Sequence, residues 1–129
     1  MIRLKLWFVT AILLGWVSLL SAQTYNMTNG TVNTCSGTFY DSGGASGTYG
    51  SNANLTFTIC SSLPGASVMV SFTSFDLESG YDYLSIYNGP TTGSPALVVN
   101  ASGSSLNGQT FESVGGTCLT FRFTSDGSV

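Results

Sequence analysis

Past residue 22 the apolar positions recur at every second residue. Val68, Val70 and Phe72 alternate with Met69, Ser71 and Thr73, and Leu119, Phe121 and Phe123 alternate with Thr120, Arg122 and Thr124. That is the period of a strand with one buried face. Turn formers punctuate the chain at Asn29-Gly30, Asp41 to Gly44, Pro64-Gly65, Ser79-Gly80, Asn88 to Pro90, Gly93 to Pro95, Asn107-Gly108, Gly115-Gly116 and Asp126-Gly127. Between them the pattern predicts strands over Thr38–Tyr40, Leu55–Cys60, Ser67–Phe75, Tyr83–Tyr87, Ala96–Asn100, Thr110–Val114 and Cys118–Thr124. No window carries apolar residues at helical spacing over the roughly ten residues a helix needs. Short strands joined by Gly-rich turns predict an all-β domain, a β-sandwich or jelly roll of two antiparallel sheets whose core is built from the alternating apolar faces.

The N-terminal pattern is of another kind. Arg3 and Lys5 precede an apolar stretch from Leu6 to Leu20, which ends at Ser21-Ala22-Gln23. A basic flank, an apolar run and small residues at its end predict a cleavable export signal over residues 1–22, with an uncleaved membrane anchor as the alternative. The remaining 107 residues suffice for one modest core. We divide them into a lead-in, residues 23–34, and a domain over 35–129. The chain stops at a turn-like Asp126-Gly127-Ser128-Val129, and the expectation is of a domain whose last strand is missing.

Without the signal, one base, Arg122, stands against Asp41, Asp76, Glu78, Asp82, Glu112 and Asp126, for a net charge of −5. Nucleic acid is excluded as a partner on that balance, since neutralising phosphates needs several Lys or Arg on one face. Both tryptophans lie in the signal. The cysteines number three, Cys35, Cys60 and Cys118, and in an oxidising compartment they tend to pair. Cys35 and Cys60 bracket one strand-turn-strand segment, and a bridge between them would contribute roughly 3 kcal/mol. Cys118 would then be left over, either as a reactive thiol or with a partner beyond Val129.

Asp76, Glu78 and Asp82 crowd around the turn Ser79-Gly80. Like charges held together by a turn repel, and there is almost no cationic side chain to offset them. Two readings stand side by side: solvated loop acids, or ligands of a hard cation such as Ca²⁺, which takes six to eight oxygens in forgiving geometry. Zinc is disfavoured because histidine is absent.

Three strings add a family resemblance: Ser71 through Phe75-Asp76-Leu77-Glu78, then Tyr81-Asp82-Tyr83-Leu84 through Asn88-Gly89, then Cys118 through Ser125-Asp126. In this order they resemble the CUB domain family, over about Cys35 to Val129, in a short-looped style similar to its bacterial surface versions. The resemblance implies a jelly-roll sandwich in an extracellular protein, recognising protein or carbohydrate. In calcium-binding members the matching positions are ligands, here Glu78, Asp82 and Asp126. Ser128 would contribute through its backbone, and Tyr49 would hydrogen-bond the glutamate.

Catalysis finds little to work with. No histidine can act as base, no Ser or Cys sits in a Gly-x-Ser-x-Gly setting, and Glu78 and Asp82 flank one turn rather than a cleft. The expected function is non-catalytic binding: calcium-assisted recognition of a basic extracellular protein. The rivals are carbohydrate binding through Tyr81, Tyr83 and Tyr87, which share a face by strand periodicity, and a passive spacer. Asn26, Asn29, Asn54 and Asn100 each begin a glycosylation sequon, to which no role is assigned.

Overall fold

The computed structural model describes residues 23–129, so the expected export signal over residues 1–22 lies outside the described residues. Within them the regular structure is all β: β1 Thr24–Asn26, β2 Gly30–Thr34, β3 Thr38–Tyr40, β4 Asn54–Ser61, β5 Met69–Ser71, β6 Tyr83–Tyr87, β7 Ala96–Ala101, β8 Thr110–Glu112 and β9 Cys118–Thr124. No helix among the described residues is long and apolar enough to cross a membrane. Five strands form one sheet in the order β2-β4-β9-β6-β7, and two ribbons, β1-β3 and β5-β8, complete a β-sandwich.

Strand alternation builds the core as expected. Leu119 and Phe121 of β9 are fully buried and Phe123 nearly so, with Phe57 and Ile59 of β4 and Leu84 and Ile86 of β6 beside them. The ribbons close over this face: the Phe39 ring of β3 lies 5.4 Å from Phe57 and 5.3 Å from Phe121. Phe72 and Phe75 meet edge to face at 5.6 Å. The opposite face of β9 departs from the simple pattern, because Thr120 is as buried as its apolar neighbours. Its hydroxyl donates to the Gly89 carbonyl at 2.8 Å and lies 2.9 Å from Thr58 Oγ1, so the turn after β6 folds over that face. Gly89 permits the turn: its φ is 150°, and a Cβ there would lie 2.3 Å from Ser94 Oγ.

Three expectations need correction. The lead-in is not separate from the domain, since β1 and β2 pair with β3 and β4, and Met27 is buried in the core. Their pairing is with strands distant in sequence, and a segment of Thr and Asn with few apolar residues gives no periodic signal for it. Both pairings are parallel, so the five-stranded sheet is mixed and β1-β3 is a parallel ribbon, while β5-β8 is antiparallel as expected.

The third correction concerns the disulfide, which joins Cys60 to Cys118 and leaves Cys35 free and exposed. Cys60 and Cys118 are direct cross-strand partners in the β4-β9 pair, with Cα atoms 4.0 Å apart. Cys60 lies opposite Asn33 in the parallel pair with β2. Cys35 is two residues farther along, which puts its Cα roughly 8 Å from that of Cys60 by strand rise and spacing, too far to bridge.

Candidate metal centre

Three segments converge at one end of the sandwich: the turn before β6, the β3–β4 connection and the chain after β9. The turn from Leu77 to Asp82 is set by its own backbone, the Glu78 carbonyl accepting from the Tyr81 and Asp82 amides at 3.2 and 3.1 Å. Gly80, at φ 83°, supplies the left-handed residue that closes it. Residues after β7 hold the turn from outside: Ser102 Oγ accepts from the Gly80 amide at 2.8 Å and donates to the Glu78 carbonyl at 3.1 Å. The Gly103 carbonyl accepts from the Leu77 amide at 3.0 Å.

Beyond β9, Ser125 fastens the chain to the loop before β4. Its Oγ donates to the Gly50 carbonyl at 2.7 Å and accepts from the Ala53 amide at 2.9 Å. The Asp126 amide then donates to Asp82 Oδ1 at 3.0 Å, and the Asp126 carbonyl accepts from the Asn52 amide.

These constraints bring Glu78, Asp82 and Asp126 together, each offering a carboxylate oxygen within 4.8 Å of the others. Asp82 has no solvent exposure. Its second oxygen, Oδ2, accepts from the Tyr49 hydroxyl at 2.6 Å, so each oxygen holds one hydrogen bond and keeps acceptor capacity. Tyr49 is itself buried, its ring edge-on to Phe123 at 5.0 Å, and its hydroxyl accepts from the Glu78 amide at 2.9 Å. Burial foremost, and then the hydrogen bond to Asp82, push the Tyr49 phenol above its ordinary value of 10.0. Tyr49 thus hydrogen-bonds Glu78, as the resemblance implies, through the backbone amide, and it also bonds the Asp82 carboxylate.

The remaining sequence candidates distribute unevenly. Ser128 adjoins the cluster, its amide and hydroxyl donating to Asp126 Oδ1 at 2.9 and 3.3 Å, which orients that carboxylate. Asp76 lines the same shallow depression as Glu78, Tyr49 and Ser128 but is not one of the converging three. Arg122 is exposed on β9. Of the three tyrosines, Tyr83 and Tyr87 lie on β6, while Tyr81 lies outside it and is the only one largely exposed. The Tyr83 hydroxyl is engaged with the Gly80 carbonyl.

Ser102, Ser125 and Asn52 position the site as much as the acids do; Ser125 lies in the last of the family strings, and no motif pointed to Ser102 or Asn52. Among them only Asn52 carries a backbone mark, a φ of 55°. The donor set is oxygen throughout, with three carboxylates and no imidazole or free thiol, which suits a hard cation such as Ca²⁺. No protein-family model matches the chain.

Proposed function

We propose that this protein is an extracellular, non-catalytic binding module of CUB type, in which Glu78, Asp82 and Asp126 hold Ca²⁺ and the ordered end of the sandwich receives a basic group of a partner protein. The observation that carries this reading is the burial of Asp82 within reach of two other carboxylates. Arg122 is the one Lys or Arg available in residues 23–129. Acids held together by backbone and hydroxyl constraints repel one another unless a cation lies among them. Bound Ca²⁺ would supply that charge and tie the turn before β6 to the chain after β9. Tyr49 and Ser128 would keep the carboxylates aimed, as groups behind a metal's ligands do.

With the cation bound, the cluster keeps a net negative charge, to which a Lys or Arg side chain is complementary. The disulfide and the signal-like N-terminus support an extracellular setting. Carbohydrate recognition by stacked tyrosines has less support, because only Tyr81 is freely presented.

The test is a titration with N-acetyl-lysine methylamide followed by amide chemical shifts, in calcium and in chelator. Saturable shifts at residues 76–82 and 126–128 that require calcium are expected. Shifts that are absent in both conditions would leave a spacer or a sugar-binding module.

A further inference from the structure

The expected export signal ends at Ser21-Ala22, so Gln23 would be the first residue of the exported chain. A chain end frays unless contacts tie it down. Gln23 is tied at both of its carbonyls. The main-chain carbonyl accepts from the Thr38 amide at 2.8 Å. The side-chain Oε1 accepts from the Tyr25 hydroxyl at 2.6 Å, with Thr34 Oγ1 3.0 Å away. Gly37 makes room for this seat, since a Cβ there would lie 2.9 Å from the Gln23 carbonyl oxygen and 2.7 Å from the Tyr25 ring. From the seat β1 runs on beside β3, and Met27 enters the core.

The seat uses one half of the Gln23 side-chain amide. Oε1 is held, whereas Nε2 has no hydrogen-bond partner among the described residues. A glutamine at a free amino terminus also carries its own nucleophile. The α-amino nitrogen and Cδ are joined by closing a five-membered ring, which replaces an encounter between two molecules by rotation about a few bonds.

We propose that Gln23 is a modification site, cyclised to pyroglutamate once residues 1–22 are removed; the proposal rests on the export-signal reading. The α-amino nitrogen attacks Cδ, the new N–Cδ bond closes the lactam, and the Cδ–Nε2 bond breaks. Nε2 leaves as ammonia with the proton that the amine gives up, so the step needs no oxidant, reductant or second substrate. The attacking amine must be uncharged, and an α-amino pKa of about 7.7–8.0 supplies that form near neutrality. The lactam keeps both carbonyl oxygens that the seat uses and discards the nitrogen that it does not. Closure removes a positive charge that would otherwise stand with Arg122 against six acids. It also shields β1 from aminopeptidases, which act on a free α-amino group. Loss of β1 would unpair β3 and take Met27 from the core.

The test is made on the protein as secreted by a host that removes signal peptides, held at about pH 8 before analysis. Arg122 is the one tryptic site in residues 23–129, so after denaturation and reduction trypsin releases residues 23–122 as a single fragment. Its mass should fall below that of the open sequence by one ammonia, about 17 Da. Its end should resist N-terminal sequencing until a pyroglutamyl peptidase removes the ring. Gln23→Glu keeps a side-chain acceptor, but its carboxylate resists attack by an amine, and the variant should give the open mass. That variant should lose residues of β1 to a processive aminopeptidase while the parent loses none; equal resistance of the two overturns the protective role. A fragment that begins at Gln23 with the open mass overturns the proposal and leaves the signal reading standing. A fragment that begins at another residue, or a chain that keeps residues 1–22, overturns the proposal through the signal reading on which it rests.

Discussion

Replacing Asp82 by asparagine should invert the order of stability between calcium and chelator. Without the ion, the Asp82 carboxylate is buried with two other carboxylate oxygens inside 4.8 Å. At an effective dielectric near 20 each such pair repels by roughly 3 kcal/mol, and screening at the solvent-facing side of the site reduces this to about 1 kcal/mol per pair. The neutral amide of Asp82→Asn would relieve both pairs. It would retain an acceptor for the Asp126 amide and a donor toward Tyr49, losing about 1 kcal/mol of charge-assisted hydrogen bonding. In chelator the variant should be as stable as the parent or about 1 kcal/mol more stable. In 10 mM Ca²⁺, a site in the affinity range of extracellular modules stabilises the parent by roughly 1.4 to 2.7 kcal/mol, about 5 to 20 °C in Tm for a domain of this size. The variant should gain little. Thermal unfolding followed by circular dichroism, in both conditions, reads the inversion. A parent that does not respond to calcium, or a variant that responds equally, would mean that Asp82 holds no calcium.

Further expectations follow from the same contacts. Tyr49→Phe keeps the ring on Phe123 but strands the Glu78 amide and one Asp82 oxygen, so it should cost about 1–3 kcal/mol in chelator and weaken calcium binding about tenfold or more; unchanged calcium affinity would remove Tyr49 from the site. Because the Tyr49 phenol is held above 10.0 in the fold, the unfolded chain releases its proton first, so stability in chelator is intact below pH 10 and falls as pH rises from there through the folded value. Urea unfolding across that window should show a fall that is smaller in Tyr49→Phe. Opening the Cys60–Cys118 bridge with the double Ser variant should cost roughly 4 kcal/mol, given its separation of 58 residues, whereas Cys35→Ser at an exposed position should be near neutral. Phe121→Ala, at the centre of the core, should cost about 3–5 kcal/mol by denaturant titration.

How far the sequence carries depends on where each signal resides. β3, β6 and β9 were legible to the residue, because β-branched and aromatic runs bounded by Gly and Asn leave little freedom in where a strand begins and ends. β5 is shorter than its apolar run: it ends at Ser71, the last bonds to the β8 side are those of Phe72, and the Phe75 amide goes to the Asn107 side chain instead. β1 and β2 were invisible: their places come from backbone pairing with β3 and β4, which short stretches of Thr and Asn do not announce. The disulfide was misread for a related reason. Proximity along the chain favoured Cys35 and Cys60, whereas register across β4 and β9 decides the pairing. For the site, two acids of the cluster came from local spacing, and Asp126 joined them only through the motif strings. Ser125 stands in the same string as Asp126, whereas Ser102 and Asn52, which help hold the three together, sit in unremarkable Ser- and Asn-rich turns whose role exists only once the chain is folded.

Whether Glu78, Asp82 and Asp126 hold calcium is read by equilibrium dialysis against radiolabelled calcium. Saturable binding of one ion per chain is expected, with a dissociation constant of about 10⁻⁴ to 10⁻³ M, lost in Asp82→Asn and retained in Asp76→Asn. No saturable binding at millimolar calcium, or equal binding by Asp82→Asn, would contradict it.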